Sequence, residues 1–412
     1  MITGRGIGYL LATALVYLIL ALSGFDLLVL LLLTLVILPV ITALQQLLAG
    51  RRLRAGQELA EPVVERGQPT GLGVHLTQDG WISFSELKVT VSRPGESGQP
   101  VFQRHRLPLL AGRTANLTCA IRCQHRGRYL AGIRSIRSRD LLGLFYIPLF
   151  NRQKRRQSDR ELIVLPRPAP LPDIEKLASK LADWQHQQTL QTGEDIDAVA
   201  SLRSHRPGDS LKRTHWKVSA RLNQIMIKEF DNPIQREGLL ILDLFWSGGA
   251  CPEPFNPDWL DLGDYFTDRA AYLIDTVLES GNQLRAVAYH SDGRLEQRAS
   301  TPADQRQMRI MLAGLQMTNG WPADQVLEME AGQGKPVWFV LMLTTRLSLA
   351  TAERLFQLQN HGLLVWLFLI DEQPDSAEQS DALQLLASRQ VPRIVIRRRE
   401  SRANREQEHA PA

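Results

Sequence analysis

The hydrophobic pattern begins with two long apolar runs. No charged side chain occurs from Gly6 to Phe25, and none occurs from Leu27 to Gly50. A bilayer core about 30 Å thick is crossed by about 20 helical residues, so each run is long enough to cross once. Because backbone polar groups in lipid must be satisfied within the chain, both runs are predicted to be helices. Residues 1–50 are therefore interpreted as a transmembrane helical hairpin.

The charges beside the hairpin predict its orientation. Arg5 precedes the first run, and Arg51, Arg52 and Arg54 follow the second. Positive residues stay on the cytoplasmic side of a membrane, so both chain ends and all later residues are expected there. The alternative is a signal peptide cleaved near Ser23, in which case the second run would still anchor the chain.

Residues 51–165 have the pattern of a small β-domain. Short apolar runs are separated by Gly, Pro and Asp, which favours an antiparallel sandwich or barrel. The predicted strands include Gly73–Leu76, Leu87–Val91, Ala115–Ile121 and Gly132–Ile136.

The β-domain is also basic. From Ser97 to Arg139 there are nine arginines and no acid. The arginines would suit a surface near anionic lipid headgroups, or they form a solvated sheet face. Few aromatic residues are interleaved with them, so we expect no nucleic-acid partner. The net charge of the whole chain leads to the same expectation, because 48 basic and 43 acidic residues give only +5.

Residues 166–396 alternate between strand-like and helix-like segments. They begin at a proline-rich joint, Pro166–Pro172, and the alternation predicts a mainly parallel sheet covered by helices. The predicted strands are Ile225–Phe230, Gly238–Phe245, Gln283–Tyr289, Val337–Leu343, Leu363–Ile370 and Arg393–Arg397. The predicted helices are Leu262–Ser280, Pro302–Leu315, Leu349–Gln359 and Ser376–Ala387. Residues 397–412 are interpreted as a disordered basic tail.

Catalytic motifs are missing from the sequence. We find no Walker A loop, no G-x-S-x-G and no H-E-x-x-H, so we do not predict an enzyme. The remaining enzymatic alternative is a hydrolase that uses Asp209, His205 or His215.

A dense polar segment, residues 192–221, carries the candidate interaction residues. After the turn Pro207-Gly208-Asp209, Asp209 could cap a helix that contains Trp216. One hypothesis is an internal ion-pair network between the segment's arginines and acids, and the other is a recognition surface rich in Trp and Arg. The candidate residues are Arg203, Asp209, Arg213, Trp216 and Arg221.

This segment resembles the signature of the bacterial domain-of-unknown-function family 58. That signature reads roughly G-E-D-F, then R-x-Y-x-x-G-D-x-x-R-x-I-x-W-x-x-S-A-R. A second hallmark of the family resembles the residues from His125 to Phe145, and the N-terminal hairpin is also typical of it. The matching positions are Gly193, Glu194, Asp195, Arg203, Gly208, Asp209, Arg213, Trp216, Ser219, Ala220 and Arg221.

The resemblance implies that the C-terminal domain is similar to a von Willebrand factor A module. Such modules hold Mg²⁺ through D-x-S-x-S and later Thr and Asp residues. Here the first element reads Asp243-x-Phe245-x-Ser247, and residues 344–346 read Thr-Thr-Arg where an Asp is expected. Asp243 and Ser247 are therefore candidates for a degenerate metal site, and no cofactor is predicted.

The resemblance also implies partners and a location. It implies a MoxR-type AAA+ ATPase, a transglutaminase-like membrane protein and the bacterial inner membrane. The preferred hypothesis is an adaptor, anchored in that membrane, whose cytoplasmic domains dock the ATPase or its client. The alternative is a degenerate, divalent-metal-dependent binding module.

Overall fold

The computed structural model describes residues 3–23, 26–149, 159–183, 201–206, 214–229, 237–244, 255–290, 293–317, 321–331, 337–371 and 377–397. The chain forms two compact units. The first comprises Met1–Pro166 and Glu253–Asp261, and the second comprises Arg167–Pro252 and Leu262–Ala412.

The first unit begins with the two apolar helices, α1 (Gly4–Ser23) and α2 (Asp26–Arg51). The two predicted helices are present, and both are long and apolar enough to cross a membrane. Most of their large apolar side chains are exposed, as expected for surfaces that face lipid. Only Arg52 separates α2 from the first strand.

In the part of this unit that the structure describes, nine strands follow and form two sheets around one core. A three-stranded sheet has the order β1-β3-β6, and a larger sheet has the order β2-β9-β7-β4-β5, with β8 paired to β7. Alternate side chains of β3 and β4 point into the shared core, including Leu72, Val74 and Val89. The strands are β1 Leu53–Leu59, β2 Val63–Glu65, β3 Pro69–Gln78, β4 Phe84–Pro94, β5 Pro100–Leu109, β6 Thr114–Arg122, β7 Gly127–Arg139, β8 Tyr146–Pro148 and β9 Arg160–Leu165.

The predicted strand runs of this unit are present, but the expectation of a purely antiparallel domain is wrong. Strand β2 pairs with β9 in parallel. A parallel pair requires a crossover connection, and here almost the whole β-domain lies between the two strands. The cysteines Cys119 and Cys123 are buried thiols in the core, and burial raises the pKa of Cys123 to about 11.

The second unit contains a six-stranded sheet of order β14-β13-β12-β15-β16-β17. Four neighbouring pairs are parallel, and only the edge pair β13–β14 is antiparallel among the described residues. The sheet is therefore mainly parallel, as predicted. Its strands are β12 Glu237–Leu242, β13 Leu284–His290, β14 Gly293–Ala299, β15 Val337–Thr344, β16 Leu364–Asp371 and β17 Arg393–Arg397.

Helix α4 (Pro257–Glu279) begins in residues that are counted with the first unit and continues in the second. Residues 174–183 are also helical. The labelled helices are α3 Trp216–Leu222, α4 Pro257–Glu279, α5 Pro302–Gly314, α6 Ala323–Ala331, α7 Leu349–Asn360 and α8 Ala377–Ser388.

One predicted strand of the parallel sheet lies elsewhere. The run Ile225–Phe230 contains β11 (Met226–Glu229), which pairs antiparallel with β10 (Ser201–Ser204) in a separate two-stranded sheet. A central parallel strand needs apolar residues on both faces, whereas β11 continues with Lys228 and Glu229. Strand β14 and helix α6 were not predicted at all.

Candidate functional site

The order of strands places Asp243 and Thr344 at one point of the sheet. From β12 the chain continues to β13 on one side, while β15 lies on the other side of β12. Ligands of open α/β sheets bind where the strand order reverses in this way, at the carboxyl ends of the strands. Asp243 directly follows β12, and Thr344 ends β15.

Asp243 and Thr344 are both buried and in contact. The Thr344 hydroxyl lies 2.7 Å from Oδ2 of Asp243 and accepts a hydrogen bond of 3.1 Å from the backbone N–H of Arg346. The Asp243 backbone N–H donates to Leu343 O at 2.9 Å, so this residue extends the β12–β15 ladder. The carboxylate is therefore held in place by its own sheet.

Arg346 supplies a positive charge to the same place. Burial lowers the pKa of its guanidinium, and the negative charges of Asp243, Asp324 and Glu378 oppose that shift. Mg²⁺ requires several oxygen ligands in near-octahedral geometry. Among the described residues, the carboxylate of Asp243 and the hydroxyl of Thr344 are in direct contact, and the cation of Arg346 acts on the same carboxylate, so this pair by itself does not fit Mg²⁺. Ser247, the other metal candidate, lies outside the described residues.

The structure describes part of the signature segment. Arg203 lies in β10 opposite Ile227, and Trp216 and Arg221 lie on α3. Asp209 and Arg213 lie outside the described residues. The other acids of the ion-pair hypothesis also lie outside the described residues, namely Glu194, Asp195 and Asp197. That hypothesis therefore stays a prediction.

Helix α3 begins at Trp216, later than the Asp209 turn suggests, and Asp209, the predicted cap, lies outside the described residues. The cap is His215, whose Nδ1 accepts a hydrogen bond of 3.3 Å from the backbone N–H of Val218. The Ser219 hydroxyl donates to His215 O at 3.0 Å and accepts from the Met226 N–H at 2.8 Å. These bonds fasten α3 to β11, and they engage the imidazole that the hydrolase alternative would use as a base.

With α3 fastened in this way, its aromatic residue faces outward. Trp216 is 65% exposed, and Leu222 and Ile225 nearby are also exposed. Arg221, on the same short helix, is exposed as well. We call Trp216, Arg221, Leu222 and Ile225 the α3 face. It combines apolar area with a forked donor, a composition typical of residues that dominate protein interfaces.

A buried ionic network, which the sequence did not predict, joins β13, β14 and α6. Glu330 accepts hydrogen bonds from Tyr289 (2.7 Å), Arg294 (2.6 Å) and Arg285 (3.2 Å). Arg285 is fully buried, and its Nε lies 2.9 Å from Glu237. The available signal was a single Arg inside the otherwise apolar strand β13, because a charge there needs a buried partner.

The network shifts the pKa values of its members in a consistent way. Burial and the adjacent Glu330 raise the pKa of Tyr289 to about 12. Burial favours neutral Glu330, but hydrogen bonds from Arg294 and Tyr289 outweigh it and lower the pKa of Glu330. Glu330 is therefore held as a carboxylate, and its role is to bind β13 and β14 to α6.

Comparison with known proteins gives one family match. Residues 201–251 match the model of a family described as Protein of unknown function DUF58. The match includes β10, α3 and β11, and it supports the resemblance to that family. No curated protein matches the chain.

Three of the solved structures that match illustrate distant likenesses. The CARDB domain of a Pyrococcus furiosus protein is 16% identical, with 27% of this chain and 87% of that chain covered and a TM-score of 0.20. The putative ApaA protein from Bordetella pertussis is 12% identical over 27% of this chain and 93% of that chain, also with a TM-score of 0.20. The sporulation control protein Spo0M from Bacillus subtilis is 9% identical over 38% and 58%, with a TM-score of 0.16. TM-scores this low do not establish a shared fold.

Proposed function

We propose that this protein is a membrane-anchored adaptor that docks a MoxR-type AAA+ ATPase, or the client of that ATPase, on its α3 face. The observation that carries the proposal is the exposure of Trp216 on a helix fastened by Ser219 and His215. A large aromatic held outward on a rigid support loses little conformational entropy on binding, so it suits an anchor residue. The ATPase itself is inferred from the resemblance to the family.

The anchor in this proposal is the α1–α2 hairpin. The arginines beside it, Arg5, Arg51 and Arg52, favour a cytoplasmic location for both units at a bacterial inner membrane. An ATPase has access to its nucleotide on that side. A transglutaminase-like membrane protein is the second partner that the resemblance implies, and anionic lipids are the expected surroundings of the basic β-domain.

We further propose that the adaptor works without a bound divalent cation. The guanidinium of Arg346 already places a positive charge near Asp243, where a metal-dependent module would hold its ion. The alternative, a degenerate metal-dependent module, requires that Mg²⁺ compete with this fixed charge. Loss of function on replacing Asp243, reversed by excess Mg²⁺, would favour that alternative.

The docking experiment uses the full chain in nanodiscs and the purified ATPase. We expect Trp216→Ala to raise the Kd by about 30-fold or more, because truncation of an interface hot spot costs about 2 kcal/mol or more. The matched control is Leu295→Ala, which removes another exposed apolar side chain of the same unit. We expect it to change the Kd less than about threefold.

The other outcomes separate the hypotheses. If Trp216→Ala and Leu295→Ala, both folded by circular dichroism, bind like the wild type, the α3 face is not the docking surface. If the wild type itself does not bind the ATPase in any nucleotide state, the adaptor hypothesis is wrong. Arg221→Ala provides a second variant of the α3 face, and a raised Kd in this variant as well would extend the docking surface to Arg221.

A further inference from the structure

We propose that three loops of the first unit insert into the interfacial layer of the bilayer that the α1–α2 hairpin spans. We call residues 79–83, 110–113 and 140–145 the interfacial rim. They carry Trp81, Leu110 and Leu141, which are 81%, 61% and 60% exposed. The proposal rests on membrane anchoring by the hairpin and does not depend on any docking partner.

The loop 140–145 is bonded to the start of α1. The Thr3 backbone N–H donates to Leu144 O at 2.9 Å, and the Thr3 hydroxyl lies 2.7 Å from Gly143 O. Leu141, in the same loop, points its side chain into solvent. This exposed leucine is therefore held at the end of a helix whose remaining surface is apolar.

The loop 79–83 is bonded to the end of α2. The Asp79 backbone N–H donates to Arg52 O at 3.3 Å, and the buried amide of Gln78 donates to Ala49 O at 3.4 Å. Trp81 follows two residues after Asp79. In an antiparallel hairpin the start of α1 and the end of α2 lie at the same end, so these two loops belong to one side of the unit.

The loop 110–113 lies beside the loop 79–83. The Ala111 backbone N–H donates to the Ser83 hydroxyl at 3.0 Å, and the Gly112 N–H donates to Gln78 O at 2.9 Å. Leu110 is thereby placed next to the loop that carries Trp81. The three exposed apolar side chains of the rim thus occur on loops that are bonded to the hairpin's ends directly or through the loop 79–83.

Single exposed apolar residues are ordinary on soluble domains, but this grouping suits a lipid surface. Tryptophan is enriched at membrane interfaces, where its ring is apolar and its N–H reaches water. The exposed side chains of Arg51 and Arg113 add cations at the same place, which favours anionic headgroups. By contrast, Phe102, another exposed aromatic of this unit, lies under the guanidinium of Arg134 at 5.8 Å. We therefore do not include it in the rim.

The test uses the full chain reconstituted into vesicles of phosphatidylcholine and phosphatidylglycerol, with or without bromine on the acyl chains. Bromine quenches only tryptophans that touch the lipid. The chain has eight tryptophans, and none lies within the hairpin. We expect Trp81→Phe to remove most of the bromine-quenched emission. The control Trp321→Phe, at another exposed position in the second unit that the docking proposal does not use, should remove unquenched emission only.

Three outcomes are distinguished by measuring flotation of the same samples. Loss of the quenched component in Trp81→Phe, with flotation intact, supports the rim. Flotation without any quenching that depends on Trp81 overturns the rim and leaves the anchor standing. A chain that does not float overturns both the anchor and the rim. Trp81→Phe keeps an exposed aromatic, so we expect it to fold, and circular dichroism checks this.

Discussion

Replacing Glu330 tests the buried network of the second unit most directly. The Glu330→Gln variant keeps the shape of the side chain but removes the charge that faces Arg285 and Arg294. Arg285 is fully buried and would retain only Glu237, at 2.9 Å. Removing one member of a buried ion pair costs about 3 to 5 kcal/mol because the other charge stays buried without compensation.

We expect the lower end of this range, about 3 kcal/mol, because Gln still accepts a hydrogen bond from Tyr289. Each 1.4 kcal/mol corresponds to about a tenfold change in an equilibrium constant, so local opening of the network should increase about a hundredfold. Hydrogen exchange followed by mass spectrometry on the full chain reads this opening in peptides that contain β13, β14 and α6.

Glu328→Gln is the matched control on the same helix. Glu328 is exposed and pairs with Arg354 at 3.1 Å, so its loss should cost no more than about 1 kcal/mol. Equal exchange in the two variants would refute the reasoning, because the buried network would then contribute no more than a surface pair. Faster exchange spread over the first unit would also contradict it.

Two further predictions follow from charges in the second unit. The folded pKa of Tyr289, about 12, lies above the value of about 10 in an unfolded chain, so its contribution to stability is complete below pH 10 and declines as the pH rises toward 12. The urea concentration at the unfolding midpoint should therefore fall as the pH rises from about 10 to about 12, and Tyr289→Phe should reduce that fall. If the midpoint of Tyr289→Phe falls as steeply with pH as that of the wild type, the assignment to Tyr289 is wrong. The guanidinium of Arg346 near Asp243 predicts that neither Mg²⁺ nor a chelator changes the melting temperature of the wild type, while Arg346→Asp gains stability from Mg²⁺. A wild type destabilised by the chelator would show that a divalent ion does bind.

Elements whose signal is local could be predicted from the sequence. The hairpin follows from two uninterrupted apolar runs, and strands such as β3 follow from strict alternation with every second residue buried. The strands β12, β15 and β16 were found because parallel strands covered on both faces are apolar throughout. For these elements the residue pattern alone specifies both the structure and the buried face.

Elements that depend on pairing could not be predicted in the same way. Strand β14 reads GRLEQRA, which is too polar for a buried strand, and it exists because it pairs with β13 at the sheet edge. Helix α6 has only nine residues, and its role in burying Glu330 appears only once β13 is beside it. Long-range pairing decides such segments, and a single sequence does not record it.

The residues of the candidate site could also be predicted only in part. Asp243 was a candidate site residue from the sequence, but its contact with Thr344 arises from strand order, since the two residues are 101 positions apart. The exposure of Trp216 was left open in the sequence, because tryptophan is more often buried. The helix is capped by His215 and starts later than the Asp209 turn suggested. Because it is short, the aromatic ring of Trp216 stays exposed to solvent.

The junction between α2 and β1 has a mechanical consequence. Arg52 alone separates the two elements, and the buried bond of 2.7 Å from the Ser138 hydroxyl to Gln46 fixes α2 against the β-domain a turn before the helix ends. A membrane helix tilts when the surrounding bilayer becomes thinner. Under the anchoring proposed above, no linker absorbs that rotation, so we expect the β-domain to turn together with the helix and its angle to the membrane plane to follow the local bilayer thickness.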